Sequence, residues 1–310
     1  MALSGEKLRN LTLSTNPDKA SVGYLVDPAT GDYKVGVAGW KAFLDIKGAA
    51  GVAYVSPTYG SDTTGTVGDI NLPFLTYNAA LLASRRVYIL ENTSVETSYL
   101  PSTITYFVYI PQGVTLTFNS GHRIGGSGSG QQVNASYIGE GNISFIGTGV
   151  CIDTLSCAKV YFDLNKITFA TGRSGVGLFP AFGNSGMSIF VKANLIDASA
   201  LTNSAHVLFS AYNSTFPTII IGEGTKIYSG GIAIFQIGGP GTNPKIHVGA
   251  GVLIYTSGSS IWISGGSTGG LSAAGAYSRI VDSNPDGSII VGSLTAASWI
   301  TPQHTTCAII

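Results

Sequence analysis

The segments Tyr137-Ile-Gly-Glu-Gly141 and Ile220-Ile-Gly-Glu-Gly224 share one pattern, in which strand-forming residues run into a tight turn. The same pattern recurs as Tyr109-Ile-Pro-Gln-Gly113 and His247-Val-Gly-Ala-Gly251. The final glycines lie one or three repeats apart if each repeat is about 27 residues long, and repeats of that length with several short strands are typical of solenoids. A propeller blade needs about 40–45 residues, so the period favours a parallel β-helix.

Two weaker copies of this pattern fall between the stronger ones, Tyr161-Phe-Asp-Leu-Asn165 and Phe190-Val-Lys-Ala-Asn194. In both, asparagine replaces the last glycine, and asparagine also tolerates the left-handed conformation that such a turn requires. We therefore predict turns at Asn165 and Asn194. From Val87 to Ile300 short β-branched or aromatic runs alternate with Gly, Asn and Ser clusters, which predicts an all-β solenoid. The predicted strands include Tyr106–Ile110, Val114–Phe118, Ile143–Ile146, Val160–Phe162, Ile167–Phe169, Ile219–Ile221, Ile232–Phe235, Val252–Tyr255, Ile261–Ile263 and Ile289–Val291.

The composition of the 310 residues narrows the function classes. Hydrophobic residues make up 44% of the chain, whereas charged residues make up 10%, against about 25% in ordinary globular domains. The formal net charge is zero, so the chain lacks the overall positive charge that attracts nucleic acid. We therefore expect no nucleic-acid binding. We also expect no membrane insertion, because no run of 18 apolar residues occurs. The start of the sequence has no apolar signal-peptide core, which predicts synthesis in a cytoplasm.

The first 86 residues are organised differently from the rest. Residues 20–46 read as a hairpin followed by a short helix, and residues 1–50 are predicted to form a small N-terminal attachment module with its linker. Residues 51–86 are predicted as a lead-in with a capping helix at about 76–84. Thr76 is placed to cap this helix, with Ala79, Leu82 and Ala83 on its apolar side. The solenoid and a C-terminal strand then fill residues 87–310.

Two N-terminal segments resemble parts of bacteriophage tail or head fibres and tail spikes. The first is Tyr24-Leu-Val-Asp-Pro-Ala-Thr-Gly-Asp-Tyr-Lys-Val35 with Trp40-Lys-Ala-Phe-Leu44, which is similar to their N-terminal hairpin-helix module. The second is Tyr54-Val-Ser-Pro-Thr-Tyr-Gly-Ser-Asp62 with Pro73-Phe-Leu-Thr-Tyr77, which is similar to the lead-in of their β-helix domains. The resemblance implies a homotrimer attached to a virion through its N-terminal part, with the β-helix exposed. The module residues that carry it are Tyr24, Tyr33, Trp40 and Phe43.

Few residues suit catalysis. A β-helix that cleaves glycans would need two carboxylates about 5–9 Å apart. Glu140 and Glu223 are predicted to occupy equivalent turns three repeats apart, which is too far for both to act on one glycosidic bond. We read them as solvated turn residues. The histidines have no metal-ligand spacing, so no metal, no other cofactor and no catalytic residue is predicted. The three cysteines Cys151, Cys157 and Cys307 have no paired spacing and are expected to be free and buried.

Outward aromatic and amide side chains could contact sugars. Aromatic rings stack on sugar rings and amides bond their hydroxyls, so Trp262, Tyr212, Tyr255 and Asn213 are candidate glycan contacts. Packing in the core or against partner chains is the alternative for the same residues.

The expected function follows from the solenoid, the scarcity of charge and the resemblance. We expect a non-catalytic structural fibre or spike component, located in the virion and contacting other virion proteins through its N-terminal region. Packing of three chains would bury the poorly charged surface of residues 101–310 and the apolar ending Cys307-Ala-Ile-Ile310. A host-polysaccharide depolymerase and a module that binds host surface glycans are the alternatives.

Overall fold

The computed structural model describes a part of the chain that lies within one compact unit, Lys47–Ile310. The described residues are 51–95, 105–119, 122, 124–125, 133–149, 151–152, 157–171, 178–181, 187–201, 207–212, 218–230, 232–238, 245–249, 252–256, 261–263, 279–282, 290–292 and 308–309. The predicted attachment module, with Tyr24, Tyr33, Trp40 and Phe43, lies outside them. None of the helices formed by the described residues has the length and apolar character needed to cross a membrane.

Strands dominate the described residues, with a single short helix, α1 (Tyr77–Ala83). The strands are β1 (Val52–Val55), β2 (Arg86–Ile89), β3 (Thr93–Val95), β4 (Thr105–Tyr109), β5 (Thr115–Phe118), β6 (Val133–Ile138), β7 (Asn142–Phe145), β8 (Cys157–Phe169), β9 (Phe179–Pro180), β10 (Ser188–Ala198), β11 (Val207–Tyr212), β12 (Thr218–Ile221), β13 (Lys226–Ser229), β14 (Ala233–Gly238), β15 (Lys245–Val248), β16 (Leu253–Thr256), β17 (Ile261–Ile263), β18 (Arg279–Asp282), β19 (Ile290–Gly292) and β20 (Ala308–Ile309).

These strands form three parallel ladders, which we name sheets A, B and C. Sheet A has the order β1-β2-β4-β6-β8-β10-β12-β15-β18-β20, and sheet B runs β3-β5-β7-β8-β10-β13-β16-β19. Because β8 and β10 belong to both, A and B form one 16-stranded sheet. Sheet C has the order β9-β11-β14-β17. Each strand pairs with the next strand on the same face of the coil, which is the topology of a parallel β-helix. The predicted all-β fold with a parallel β-helix is confirmed.

Alternation along most strands of sheets A and B separates the core from the surface, whereas β1 and residues 207–211 of β11 are buried throughout. In β10 the residues between the buried ones are half-buried or exposed, and the buried ones are Ile189, Val191, Ala193, Ile196 and Ala198. Successive side chains of a strand point to opposite faces, so one face of every ladder lines the interior. Each coil therefore buries much of its apolar face against the neighbouring coils, and a single repeat is not expected to be stable alone.

Aromatic rings stack along the interior from coil to coil. In sheet B, Phe118 stacks on Phe145 at a ring-centroid distance of 5.0 Å, and Phe145 stacks on Phe169 at 5.6 Å. In sheet C, Phe179 lies 5.3 Å from Phe209. Burying one such side chain contributes about 1.5–3 kcal/mol, and a well-placed ring pair adds about 0.5–1.5 kcal/mol. The interior is thus a continuous packed column.

The corner between sheets A and B carries the repeated pattern. Gly113 and Gly224 adopt the left-handed φ values of 80° and 72° that the turn requires. The prediction of turns at Asn165 and Asn194 was wrong, because β8 and β10 pass through this corner as unbroken strands. The asparagine amides instead bond along the axis, with Asn165 Nδ2 donating to Asn142 Oδ1 at 3.0 Å and Asn194 Nδ2 donating to Asn165 Oδ1 at 3.2 Å. These amide hydrogen bonds link successive coils at the corner where the strands are unbroken.

Helix α1 covers the N-terminal end of the column, as predicted. Its N-cap is Thr76, whose hydroxyl accepts a hydrogen bond from the Ala79 amide at 3.2 Å. The predicted apolar face was only partly right: Ala79 packs partly buried against the core, but the buried residues are Tyr77, Ala80 and Leu81, and Leu82 is 65% exposed. A helix of seven residues has too few apolar positions for its face to be read from periodicity, and the reach of Tyr77 into the core decides its orientation.

Two carboxylates hold the lead-in loop between β1 and α1. Asp62 accepts hydrogen bonds from the Thr76 amide at 2.9 Å and from the Thr76 hydroxyl at 2.8 Å. Glu91 accepts from the Thr58 amide at 2.9 Å, from the Thr58 hydroxyl at 2.8 Å and from the Ser56 hydroxyl. These hydrogen bonds lower the pKa of Glu91 below its ordinary value. Strand β1, which lies in the predicted lead-in, already pairs with β2 as part of sheet A.

Candidate functional site

The predicted glycan contacts lie on different sheets. Tyr212 in β11 and Trp262 in β17 belong to sheet C, whereas Tyr255 in β16 belongs to sheet B. Trp262 pairs with Gln236 of β14, and Tyr212 pairs with Gly238 of the same strand. Asn213 lies outside the described residues. The three described residues therefore do not share one sheet, and the contact of all four with glycans stays a prediction.

Tyr255 has an aromatic partner that the sequence analysis missed, Tyr228 of β13. The two residues are paired in the register of sheet B, and their rings stack with a centroid distance of 4.6 Å and an interplanar angle of 11°. Tyr228 is 40% exposed and Tyr255 is half-buried, so both rings lie on the outer face of the sheet. The signal was present in the sequence, because Ile-Tyr occurs at both positions one repeat apart.

The residues that continue this row of sheet B are small or polar. Tyr228 pairs with Asp197 of β10 on one side, and Tyr255 pairs with Gly292 of β19 on the other. Asp197 Oδ2 lies 3.0 Å from Lys166 Nζ, and Asp197 Oδ1 accepts a hydrogen bond from the Ser199 hydroxyl at 2.6 Å. The row therefore presents an aromatic pair beside a hydrogen-bonding polar group.

The ionisation of Asp197 follows from these contacts. Partial burial alone would raise its pKa, but the hydrogen bonds from Ser199 and Lys166 and the positive charge of Lys166 outweigh burial and lower the pKa. The carboxylate is therefore ionised at neutral pH and acts as a hydrogen-bond acceptor. Its ion pair is partly exposed to solvent, with the Lys166 and Asp197 side chains 35% and 28% exposed.

A second outward row, on sheet A, is more apolar. It consists of the register-paired residues Tyr161, Phe190, Ile220 and His247, all half-buried, and we name it the sheet A row. The rings of Tyr161 and Phe190 stack at 4.6 Å with an interplanar angle of 6°. These side chains lie outside the interior, because the alternate residues of the same strands form the core. The sheet A row is thus apolar surface available for packing.

Asp163 lies on the outer face of sheet A beside this row. Partial burial raises the pKa of its carboxyl, although the Lys192 charge and a hydrogen bond from Tyr161 act in the opposite direction. Glu140 and Glu223 are exposed and occupy the corner between sheets A and B, as the repeat predicts. Glu140 lies between β6 and β7, and Glu223 lies between β12 and β13.

Metal-ligating and thiol groups add no further site within the described residues. No group of three His, Cys, Asp or Glu side chains there is placed to hold a metal ion. Cys151 and Cys157 are buried and form no disulfide, as predicted, while Cys307 lies outside the described residues. No family model, curated protein or solved structure matches this chain.

Proposed function

We propose that the chain is a non-catalytic structural component of a virion, a fibre or spike rod exposed on the particle. The observation that carries the proposal is the interior column, which is filled by stacked side chains from coil to coil and closed at its N-terminal end by α1. Such a column keeps its shape without a bound ligand. The resemblance of Tyr24–Leu44 and Tyr54–Tyr77 to phage fibre and spike segments supports a virion location.

The partners of the rod are proposed from its surface. A second and a third copy of the chain would pack against the sheet A row and remove its aromatic side chains from water. The N-terminal region would bind other virion proteins, and the rod would then project from the particle. Nucleic acid is not proposed as a partner, because the net charge of the chain is zero.

The hydrogen bonds of two carboxylates and the ion pair of a third support a structural role. Asp62 and Glu91 hold the lead-in loop, and Asp197 is paired with Lys166. A glycan hydrolase would instead need two carboxylates aimed at one bond. A host-polysaccharide depolymerase is the alternative function that the experiments below must separate from the structural role.

Electron microscopy tests the virion location. Gold-labelled antibodies against the purified chain, applied to virus particles produced by cells that carry its gene, should decorate projections on the particle surface. Label that stays in the soluble fraction and never sediments with particles would contradict the proposal.

A polysaccharide digestion tests the non-catalytic role. The purified protein, incubated with capsule and surface polysaccharides of the host, should leave the polymer size measured by size-exclusion chromatography unchanged. A reproducible fall in polymer size, absent from a heat-denatured control, would favour the depolymerase instead.

A further inference from the structure

The stacked pair Tyr228–Tyr255 is large aromatic surface on the outside of the solenoid. Its rings lie 4.6 Å apart, yet Tyr228 remains 40% exposed. The core beneath the pair is already filled by Ile227 and Ile254, which are 0% and 1% exposed. The pair therefore contributes little to the interior, and its exposed ring surface is available to a ligand.

The two outer ring faces of the pair have no aromatic neighbour in the row. On the Tyr228 side the paired residue is Asp197, whose short side chain is held by Lys166 and Ser199. On the Tyr255 side the paired residue is Gly292, which has no side chain to lie over the ring. A ring-shaped ligand can thus stack where the next aromatic residue of the ladder would otherwise be.

The polar groups beside the pair suit a ligand rich in hydroxyls. The Asp197 carboxylate can accept hydrogen bonds, the Lys166 ammonium can donate them, and both are partly exposed. Hydrogen bonds to charged groups are about twice as strong as those between neutral groups. A pyranose ring combines a flat face of C–H groups, which packs on an aromatic ring, with hydroxyls around its edge.

A second copy of the chain fits this surface less well than a sugar does. The charged side chains Lys166, Asp197 and Lys226 flank the pair, and Lys226 is exposed. Charged residues are depleted at the centres of protein interfaces, where desolvation is costly. The sheet A row also has charged neighbours, Asp163 and Lys192, but its paired residues Tyr161, Phe190 and Ile220 are apolar over three successive coils, one more than the Tyr228–Tyr255 pair.

We propose that Tyr228 and Tyr255, with the Lys166–Asp197 ion pair at their edge, form a stacking site for one pyranose ring of a host-surface polysaccharide. The inference rests on the proposed function, since a rod exposed on a particle meets the polysaccharides of the host surface. The aromatic pair supplies the contact area, and the ion pair selects ligands with suitably placed hydroxyls.

A glycan array of bacterial surface oligosaccharides built from neutral hexoses, deoxyhexoses and N-acetylhexosamines tests the site. The wild-type protein should bind at least one group of these glycans, and Tyr255→Ala should weaken that binding roughly tenfold, the loss that matches a stacking contribution of about 1.4 kcal/mol. Tyr255→Leu, which keeps apolar volume without a ring, should lose binding similarly. Tyr255→Phe keeps the ring, so its affinity for the same glycans should stay within about twofold of that of the wild type.

Tyr59→Ala is the matched control, because Tyr59 is 60% exposed and lies in the lead-in loop, outside the row. Its glycan binding should equal that of the wild type. Absence of wild-type binding across the array, or binding by Tyr255→Ala and Tyr255→Leu equal to that of the wild type, would overturn the site. Either result would leave the antibody labelling of particles unaffected, so failure of the site and failure of the structural role are distinguishable.

Discussion

Three tyrosine hydroxyls meet inside the solenoid beneath the capping helix. The Tyr137 hydroxyl lies 3.1 Å from that of Tyr77 in α1 and 3.0 Å from that of Tyr106 in β4. All three side chains are at most 2% exposed. Burial is the largest cause that raises the pKa of each hydroxyl above its ordinary value. The cluster ties the helix to the sheet by hydrogen bonds in a region where water cannot replace them.

Replacing Tyr137 by phenylalanine should destabilise the protein by about 1–3 kcal/mol, because it removes the hydroxyl that Tyr77 and Tyr106 share and leaves these two buried hydroxyls with only each other. Urea unfolding followed by circular dichroism measures the change. Tyr59→Phe removes a hydroxyl from an exposed ring and should change the stability by less than about 0.5 kcal/mol. Equal midpoints for the two variants would show that the cluster contributes nothing.

The same cluster should make the protein sensitive to alkali. A tyrosine in the unfolded chain loses its proton near pH 10, whereas the buried hydroxyls of the folded state, whose pKa values are raised, keep theirs. Above about pH 10 the unfolded state therefore binds fewer protons, and the free energy of unfolding falls as the pH rises. Urea midpoints measured from pH 8 to pH 11 should fall less steeply for Tyr137→Phe. Parallel pH curves would contradict the prediction.

Two corner glycines should respond differently to the same substitution. Gly224 has φ of 72°, and a methyl group added there would meet open space, so Gly224→Ala should cost only the left-handed strain of about 1–2 kcal/mol. A Cβ on Gly139, with φ of 126°, would lie 2.2 Å from the Ile110 carbonyl oxygen. Gly139→Ala should therefore destabilise the protein more than Gly224→Ala does. Thermal melts that rank the two variants in the reverse order would contradict this prediction. Gly224→Asn, which suits the left-handed region, should be milder than Gly224→Ala.

At the scale of elements, α1 depends on one residue for its start. Thr76→Ala removes the hydroxyl that accepts from the Ala79 amide at 3.2 Å and donates to Asp62 Oδ2 at 2.8 Å. We expect a loss of about 0.5–2 kcal/mol in the free energy of unfolding, the usual range for a helix N-cap. Thr76→Ser keeps both hydrogen bonds and should restore most of the stability in the same urea titration. A serine variant as unstable as the alanine variant would assign the effect to the lost methyl group.

The helix and the strands show how much of the fold could be predicted from the sequence alone. The presence and type of most strands and of the helix were predictable. The ten predicted strand runs all overlap observed strands, and α1 begins at its predicted cap. Strand β13 was missed because Lys226-Ile-Tyr-Ser229 is only half apolar, and its register partner β16 supplies the pairing that makes it a strand. The unbroken corners at Asn165 and Asn194 depend on hydrogen bonds to the neighbouring coil. Such contacts between coils are not encoded in any local window of the sequence.

At the scale of the whole molecule, the candidate site follows from register rather than from residue type. Tyr255 was predictable as an outward aromatic residue, but its pairing with Tyr228 and with Gly292 depends on how successive coils align. Coil lengths vary, as the side-chain hydrogen bonds of Asn165 show: its partners lie 23 residues before it and 29 residues after it. A mean period near 27 residues therefore locates the coils but does not fix which side chains become neighbours.

The sheet A row is the surface through which we expect copies of the chain to assemble. Tyr161 and Phe190 stack on the outside of the solenoid, and Ile220 continues the row, so a single rod in water would leave this apolar surface partly uncovered. Three rods packed around one axis would bury it, and cyclic symmetry suits a fibre that projects in one direction. The purified chain, of 32.0 kDa, should therefore scatter light as a trimer at micromolar concentration.

Substitution within the row should separate assembly from folding. Phe190→Glu places a charge in the proposed interface and should shift the light-scattering mass toward that of the monomer, while the circular dichroism of the β-helix is kept, because the side chain points away from the core. Lys226→Glu reverses a charge at an outward strand position, but it lies on sheet B and should leave the trimer intact. A wild-type protein that is monomeric under these conditions, or a Phe190→Glu trimer as stable as the wild type, would exclude the sheet A row as the interface.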